Sequence, residues 1–377
     1  MDPSTGLPVV GMVGAGQLAR MTHQAGIALG LSVHLLAAAP DDGAALVAAD
    51  VTVGDFCDYD TLLAFAEGCD VLTFDHEHVP GELLHKLASA GRVVLPGPDA
   101  LLHAQDKRVM RERLSALGVA VPRWSVVRTA GDIVAFAGRR WPVVAKAVRG
   151  GYDGRGVWFL PGPDAARELV STGVELIVEE QVPLVRELSA LVARSPYGQV
   201  AAWPIVETVQ RDGICVEVLA PAPGLDADRA VAAQHLAISL AAKLGVVGVL
   251  AVELLDTGQD LLVNELAMRP HNSGHWTIDG ALTSQFEQHL RAILDYPLGL
   301  TGPVAPAVAM ANVLGGGPGL DERLHHLLAA DPGIKVHLYG KASRPGRKMG
   351  HVTVLDANMP RARERARRAA GALGEAI

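Results

Sequence analysis

Cysteine is scarce: Cys57, Cys69 and Cys215 are the only three. An odd count with no C-x-x-C pair indicates neither a disulfide framework nor a zinc knuckle and fits a reducing, cytoplasmic setting. The first residues, MDPSTGLPVV, lack a basic segment leading into an apolar core, and every apolar run breaks well short of the ~18 residues that span a bilayer. Neither export nor a membrane partner is expected. Excess positive charge is missing as well. The formal net charge is -8, so the basic footprint of a general nucleic-acid binder is absent, and anionic ligands must be met by local clusters of Lys and Arg. Hydrophobic residues at 49% and charged ones at 20% exclude wholesale disorder, and 377 residues exceed one ordinary core, so two or three domains are expected.

The stretch WPVVAKAVRGGYDGRGVWF, Trp141 to Phe159, sets Lys146 in a run of β-formers. A loop with four glycines in seven residues, Gly150 to Gly156, follows, and then a second apolar run. Strand, loop, strand is the reading. Glycine lets backbone amides approach a ligand, and Arg149 and Arg155 suit phosphate oxygens, so the tip is either a phosphate lid or an ordinary flexible hairpin. It is not a Walker loop, because the lysine precedes the glycines.

Residues 7–30 read as strand, glycine turn and helix, with Gly14, Gly16 and Ala19 in Rossmann-like positions. A nicotinamide site needs an acid at the end of the second strand, SVHLLAA, and Asp41 comes late, so another use of the turn is favoured. Strands at 51–53 and 71–74 with a helix at 59–67 complete a doubly wound unit. At the end of its last strand stands Asp75-His76-Glu77-His78, where open α/β sheets place ligands. Neighbours on an extended chain point to opposite faces, which favours substrate contact by Glu77 over a metal site.

A turn near Leu95-Pro96-Gly97-Pro98 precedes a polar helix, 104–118, with Lys107 in its first turn. Further strands carry Glu179 and Glu187. Val249–Leu255 and Leu261–Leu266 flank a five-residue polar turn and form a hairpin that sets Glu253 and Glu265 on one face. Two like charges among Val and Leu call for a cation, and hard carboxylate oxygens suit Mg²⁺. The polar turn Arg269-Pro270-His271-Asn272-Ser273-Gly274-His275-Trp276-Thr277 follows, suggesting a second ligand pocket. Past TGPVAPAV, a small β-rich unit holds Lys341, Arg344, Arg347 and Lys348 between two strands, either an anion clamp or a solvated tip. The terminal RARERARRAAGAL reads as an exposed basic helix.

The lysine strand with GGYDGRG, the Glu179-x-x-Val182 and Glu187 pair, the Glu253 and Asn264-Glu265 hairpin and RPHNSGHWT together resemble the ATP-grasp superfamily. Within it they are similar to the 5-(carboxyamino)imidazole ribonucleotide synthases of purine biosynthesis, over nearly the whole chain. The resemblance implies an α/β fold in three parts: a Rossmann-like pre-ATP-grasp domain (1–98), a two-part ATP-grasp domain (99–302) and a small β-rich C-terminal domain (303–377). It implies a cytoplasmic, homodimeric ligase that uses ATP, Mg²⁺ (or Mn²⁺) and bicarbonate to carboxylate 5-aminoimidazole ribonucleotide through carboxyphosphate.

By the same resemblance Lys107 and Lys146 contact ATP phosphates, and Gly151, Tyr152, Asp153, Gly154, Arg155 and Gly156 close over them. Glu179 and Val182 hold adenine through backbone groups. Glu187 takes the ribose hydroxyls, with Gln210 where the family has histidine. Glu253 and Glu265 ligate the metal beside Asn264. Gln17, Glu77, Tyr152, Arg269, His271, Asn272, Ser273, Lys341, Arg347 and Lys348 hold the imidazole nucleotide. Lys146, Arg269 and Asp153 are the catalytic candidates, Asp153 as proton acceptor or orienter of the amine. The family's T-x-E-x-E reads Thr73-Phe74-Asp75-His76-Glu77, with a shortened first carboxylate. A formate-activating relative, a nicotinamide oxidoreductase and a nucleotide sensor are the competing readings; the oxidoreductase leaves Glu253, Glu265 and the glycine loop without a purpose.

Overall fold

The computed structural model describes residues 1–151 and 154–375. The N-terminal unit runs β1 (Val9–Val13), α1 (Gln17–Ala28), β2 (Ser32–Ala37), β3 (Val51–Val53), α2 (Tyr59–Glu67), β4 (Val71–Phe74) and α3 (Gly81–Ser89). Its strands form a parallel sheet in the order β3-β2-β1-β4. Parallel sheets are covered on both faces, and β1 and β4 are buried at every position, hence their unbroken apolar sequence. The order reverses between β1 and β4. Their carboxyl ends therefore open a crevice, and Gln17 and Glu77 stand at it.

The polar run 104–118 is not one helix. α4 (Pro98–Gln105) ends at Asp106, whose extended backbone (φ -130, ψ 107) breaks the helical path and whose Oδ1 caps α5 (Lys107–Ala116) through Val109 N at 3.0 Å. Then come β5 (Trp124–Val127), α6 (Ala130–Ala137), β6 (Val143–Ala147), β7 (Val157–Leu160), α7 (Pro163–Ser171) and β8 (Leu176–Glu180). These strands make an antiparallel sheet, β5-β8-β6-β7, with Ile133 of α6 and Leu169 of α7 packed against Val143, Ala145 and Val178.

A larger sheet follows, from β9 (Arg186–Arg194), β10 (Val200–Ala202), β11 (Val206–Arg211), β12 (Ile214–Ala220), β13 (Gly248–Asp256) and β14 (Leu261–Ala267), with α8 (Ala227–Lys243) between β12 and β13. After α9 (Thr277–Gly280) and α10 (Gln285–Ile293) the chain adds β15 (Ala307–Leu314), α11 (Leu320–Ala330), β16 (Lys335–Leu338), β17 (Lys348–Asp356) and α12 (Met359–Leu373). The strand order is β14-β13-β9-β11-β12-β15-β17-β16, with β10 on β9, so the C-terminal strands extend the central sheet through the β12–β15 pairing.

The terminal basic helix differs from expectation. Ala362, Ala366, Ala369, Ala370 and Leu373 of α12 recur at helical spacing and are buried against β15 and β17. Three of its arginines make close ion pairs: Arg363 and Arg367 with the buried Glu217, at 2.7 and 2.6 Å, and Arg365 with Asp331 and Asp356, at 2.7 and 3.0 Å. Arginine density read as exposure because the alanine stripe beneath it carries little apolar signal.

Candidate active site

The hairpin of β13 and β14 begins with Asp256 opposite Leu261, Leu255 opposite Leu262 and Leu254 opposite Val263. Continued regularly, that register would set Asn264 opposite Glu253 and turn Glu265 to the other face. A β-bulge intervenes after Leu254, one extra residue is absorbed on β14, and Glu253 pairs directly with Glu265. Asn264 stays on the same side, its Nδ2 3.4 Å from Glu253 Oε2. The bulge is what gathers three polar side chains on one wall.

Their side chains keep a solvent edge, 28% exposed for Glu253 and 35% for Glu265. Burial, then Glu265, then Glu187, push the Glu253 carboxyl up to about 7. Burial acts on Glu265 in the same sense, yet Lys107, Lys146 and Arg111 outweigh it and hold that carboxyl below its ordinary range. The pair is thus split, one carboxyl held low by neighbouring cations and the other raised by burial and like charge.

Lys107 Nζ lies 3.4 Å from Glu265 Oε1. Lys146 leaves the middle of β6 and donates to Asn264 Oδ1 at 2.8 Å and to Glu179 Oε2 at 2.9 Å. Arg111, fully buried on α5, donates Nε to Glu179 Oε1 and Nη2 to Asn264 O, both at 2.7 Å. Glu179 sits within β8, paired with β5 and β6, so beside the expected backbone contact it has the task of fixing Lys146. Val182 lies just beyond that strand. Arg111 was missed from sequence; its spacing of four from Lys107, on one helical face, was the available signal.

The glycine loop is rooted on α5. Lys107 N donates to Val148 O at 2.8 Å, and Arg149 Nη2 meets Asp106 Oδ2 at 2.9 Å. Gly154 (φ +78) lies so close to the turn between β11 and β12 that a Cβ there would meet Gly213 Cα at 3.0 Å. Arg155 is exposed on the loop. The expectations for Tyr152 and Asp153 lie outside the described residues. Across the cleft, Gln210 follows an irregularity in β11 and hydrogen-bonds Glu187 of β9, whose carboxyl burial raises against that bond.

The second wall joins parts distant in sequence. Glu77 Oε2 accepts from Arg269 Nε at 2.6 Å. Glu77 Oε1 and both ends of the Asn272 amide are buried without a hydrogen-bond partner among the described residues. Such groups are costly unless something arrives to pair with them. His271 Nε2 is 3.4 Å from Glu253 Oε1; burial, then Arg269 and Lys348, bring its imidazole down to about 3, so it is neutral there. Ser273 Oγ lies 2.9 Å from His271 Nδ1 and 2.8 Å from Ser189 Oγ, tying the turn to β9. Lys341 Nζ donates to Gln17 Oε1 at 2.7 Å. Lys348 is near enough for its charge to act on His271 and Cys215, whereas Arg347 turns back to its own loop at Ala342 O, 3.0 Å away.

The Rossmann-like turn has an internal occupant. Asp75 Oδ2 accepts from Gly16 N at 2.5 Å, and Cβ atoms at Gly14 or Gly16 would collide with its carboxylate. The start of α1 is filled by the protein's own carboxyl group, which burial pushes above its ordinary range, and Asp75 serves the turn.

Three family models match in succession: the ribonucleotide synthetase preATP-grasp domain at residues 7–105, the ATP-grasp domain at 112–286, and the phosphoribosylaminoimidazole carboxylase C-terminal domain at 308–365. The chain is 61% identical over 373 residues to the N5-carboxyaminoimidazole ribonucleotide synthase of Mycobacterium tuberculosis, covering 96% of this chain and 87% of that one. It belongs to the N5-carboxyaminoimidazole ribonucleotide synthase family of ATP-grasp ligases. The synthase of Corynebacterium ammoniagenes is 50% identical over 384 residues, covering 97% of this chain and 92% of its own. The synthetase from Thermus thermophilus superposes with a TM-score of 0.88 at 38% identity, over 98% of this chain and 99% of that one. The Aspergillus clavatus synthase solved in complex with ADP and 5-aminoimidazole ribonucleotide gives 0.89 at 30% identity, over 97% and 98%.

Proposed function

We propose that this chain joins bicarbonate to the exocyclic amine of 5-aminoimidazole ribonucleotide, with ATP converted to ADP and phosphate, giving N5-carboxyaminoimidazole ribonucleotide for purine biosynthesis. The observation that carries the reading is the bulged hairpin: Glu253 and Glu265 stand in direct register, with Lys107 and Lys146 beside them and the His271–Ser273 turn next to Glu253.

Bicarbonate is a weak electrophile. Its oxygen attacks the γ-phosphorus of ATP, ADP departs, and carboxyphosphate forms; the amine nitrogen then attacks the carboxyl carbon, or CO₂ released from it, and phosphate leaves as the nitrogen loses a proton. Lys146, held by Glu179 and Asn264, and Lys107 place fixed positive charge where phosphoryl charge develops. Glu187 with Gln210 accepts the ribose hydroxyls, and Glu179 and Val182 present backbone groups to adenine. Gly151, Gly154, Arg155 and Gly156 cover the phosphates and keep water from the intermediate.

Glu253 and Glu265, with Asn264 alongside, fit Mg²⁺ or Mn²⁺. Two adjoining carboxylates, one driven up to about 7 by burial and by the like charge opposite, are hard oxygen donors suited to a divalent cation. Glu253 and Glu265 would hold such an ion from adjacent register positions, with the Asn264 amide beside them. When bound, the ion would supply positive charge against the phosphoryl charge that develops during transfer. Arg269, His271, Asn272, Ser273, Lys341 and Lys348 hold the imidazole nucleotide opposite Gln17 and Glu77, and Arg347 is a further contact if its loop turns inward. Asp153, outside the described residues, receives or orients the amine proton. A homodimer in the cytoplasm completes the proposal.

ADP release is measured with Mg²⁺, 5-aminoimidazole ribonucleotide and bicarbonate, each omitted in turn. Release that requires all three is expected; release indifferent to the imidazole nucleotide would refute the assignment.

A further inference from the structure

α10 meets three parts of the site's frame. Gln285 holds the polar turn, its Oε1 accepting from His271 N and its Nε2 donating to His271 O, each at 2.8 Å. Leu290 and Ile293 pack with Val10, Met12, Leu31 and Leu35 in the core of the N-terminal unit. His289, one turn beyond Gln285 and fully buried, joins the two sheets. Its Nδ1 lies 3.1 Å from Val249 N on β13, and its Nε2 lies 2.7 Å from Thr73 Oγ1 on β4.

The backbone decides where the proton of this ring sits. Val249 N–H can only donate, so Nδ1 accepts, and burial brings the imidazole down to about 4; the ring is neutral and its one proton is on Nε2, donated to Thr73. Both nitrogens are committed to the frame. Gly248 makes room for the ring: its φ is +106, and a Cβ there would lie 2.8 Å from His289 Cε1.

The two anchor points are matched. Thr73 precedes Glu77 by four residues, and Val249 precedes Glu253 by four. At the level of those acids the walls are joined by Arg269 on Glu77, at 2.6 Å, and by His271 near Glu253, at 3.4 Å. The His289 link lies deeper, ~13 Å back along β13 from Glu253 at the usual rise of a strand.

We propose that His289 is a positioning residue: its hydrogen bonds to Thr73 and Val249 form a strut that sets the distance between the Glu77 wall, which holds the nucleotide substrate, and the Glu253 wall, where phosphoryl transfer takes place. The proposal rests on the functional reading above. Arg269 and His271 are themselves ligands of the imidazole nucleotide in that reading, so the outer links change partners when it binds, and the strut does not. The activated carboxyl group has to meet the amine before water does, and misplacing reacting groups by about 1 Å costs up to roughly a hundredfold in rate. A loosened strut therefore shows as lost coupling between ATP cleavage and carboxylation.

Histidine labelled with ¹⁵N reads the tautomer directly: near neutral pH His289 is expected protonated on Nε2 alone, and a proton on Nδ1 or an imidazolium overturns the proposal. Thr73→Val removes the acceptor at nearly constant volume, whereas Thr73→Ser keeps it. The valine variant should raise KM for the imidazole nucleotide roughly tenfold and form at least about two ADP per carboxylated nucleotide, with KM for ATP within about twofold; the serine variant should restore wild-type values. Wild-type coupling in Thr73→Val, or an equal rise in both KM values, contradicts the positioning role. His289→Asn keeps an acceptor for the buried Val249 N–H and is too short to reach Thr73, so it cuts the same strut. Its effect on KM should not add to that of Thr73→Val, and additive effects overturn the strut. If wild-type ADP release proves indifferent to the imidazole nucleotide, the functional reading fails, whereas the tautomer and a non-additive loss of Tm in the double variant still decide whether the strut exists.

Discussion

The split carboxylate pair makes the free protein's stability depend on pH in a direction opposite to the common acidic case. Glu253 titrates at about 7 in the folded chain against 4.5 for an unperturbed glutamate. Between those values the unfolded chain binds fewer protons at this position than the folded one, so stability falls as pH rises and the loss is complete above about 7. The full cost is roughly 3 kcal/mol. Glu265 acts in reverse: with its carboxyl held low, its contribution is present above 4.5 and lost as pH falls through the lowered value. Urea unfolding of the wild type and of Glu253→Gln, without nucleotide, from pH 5 to 8 isolates the first effect, because the variant cannot titrate there. The wild type should lose about 2–3 kcal/mol relative to the variant across that range, and saturating Mg²⁺ with ATP should abolish the loss. A stability difference flat in pH would refute the assignment of Glu253 as a carboxyl raised by burial and like charge.

Arg111→Met strands the buried Glu179 with Lys146 alone and leaves Asn264 O without its donor; breaking such a buried pair costs about 3–5 kcal/mol, to be read as a lower denaturation midpoint together with a raised KM for ATP. Asn272→Ala removes an amide whose two ends are unpaired, so the free protein should keep its Tm while KM for the imidazole nucleotide rises at least about tenfold; a drop in Tm with KM unchanged would contradict a ligand role. Gly154→Ala combines a positive φ with a 3.0 Å approach to Gly213, and should lower kcat and raise futile ATP hydrolysis, scored as ADP formed per carboxylated nucleotide.

Much of the architecture was legible because its signals are local. The alternation of β1, α2 and β4, the lysine strand β6 and the β13–β14 hairpin follow from apolar period and turn residues, and RPHNSGHWT stands out as a polar turn by its density of donors and acceptors. What sequence could not supply were long-range pairings and single-residue slips. The direct register of Glu253 with Glu265 depends on a bulge that no residue type advertises. Arg111 looked like any arginine on a polar helix until α5 met β8 and β14. Asp75 looked like a shortened family carboxylate and is the internal acceptor of the Gly14–Gly16 turn, reached across 59 positions of chain. The alanine face of α12 was hidden by its own arginines.

The central claim is that phosphorylation of bicarbonate precedes carboxylation of the amine. Turnover of ¹⁸O-labelled bicarbonate with unlabelled ATP, Mg²⁺ and 5-aminoimidazole ribonucleotide tests it directly, by mass analysis of the phosphate released. One labelled oxygen per phosphate is predicted, since the bond made to phosphorus is from a bicarbonate oxygen. Phosphate free of label while N5-carboxyaminoimidazole ribonucleotide accumulates would contradict the account.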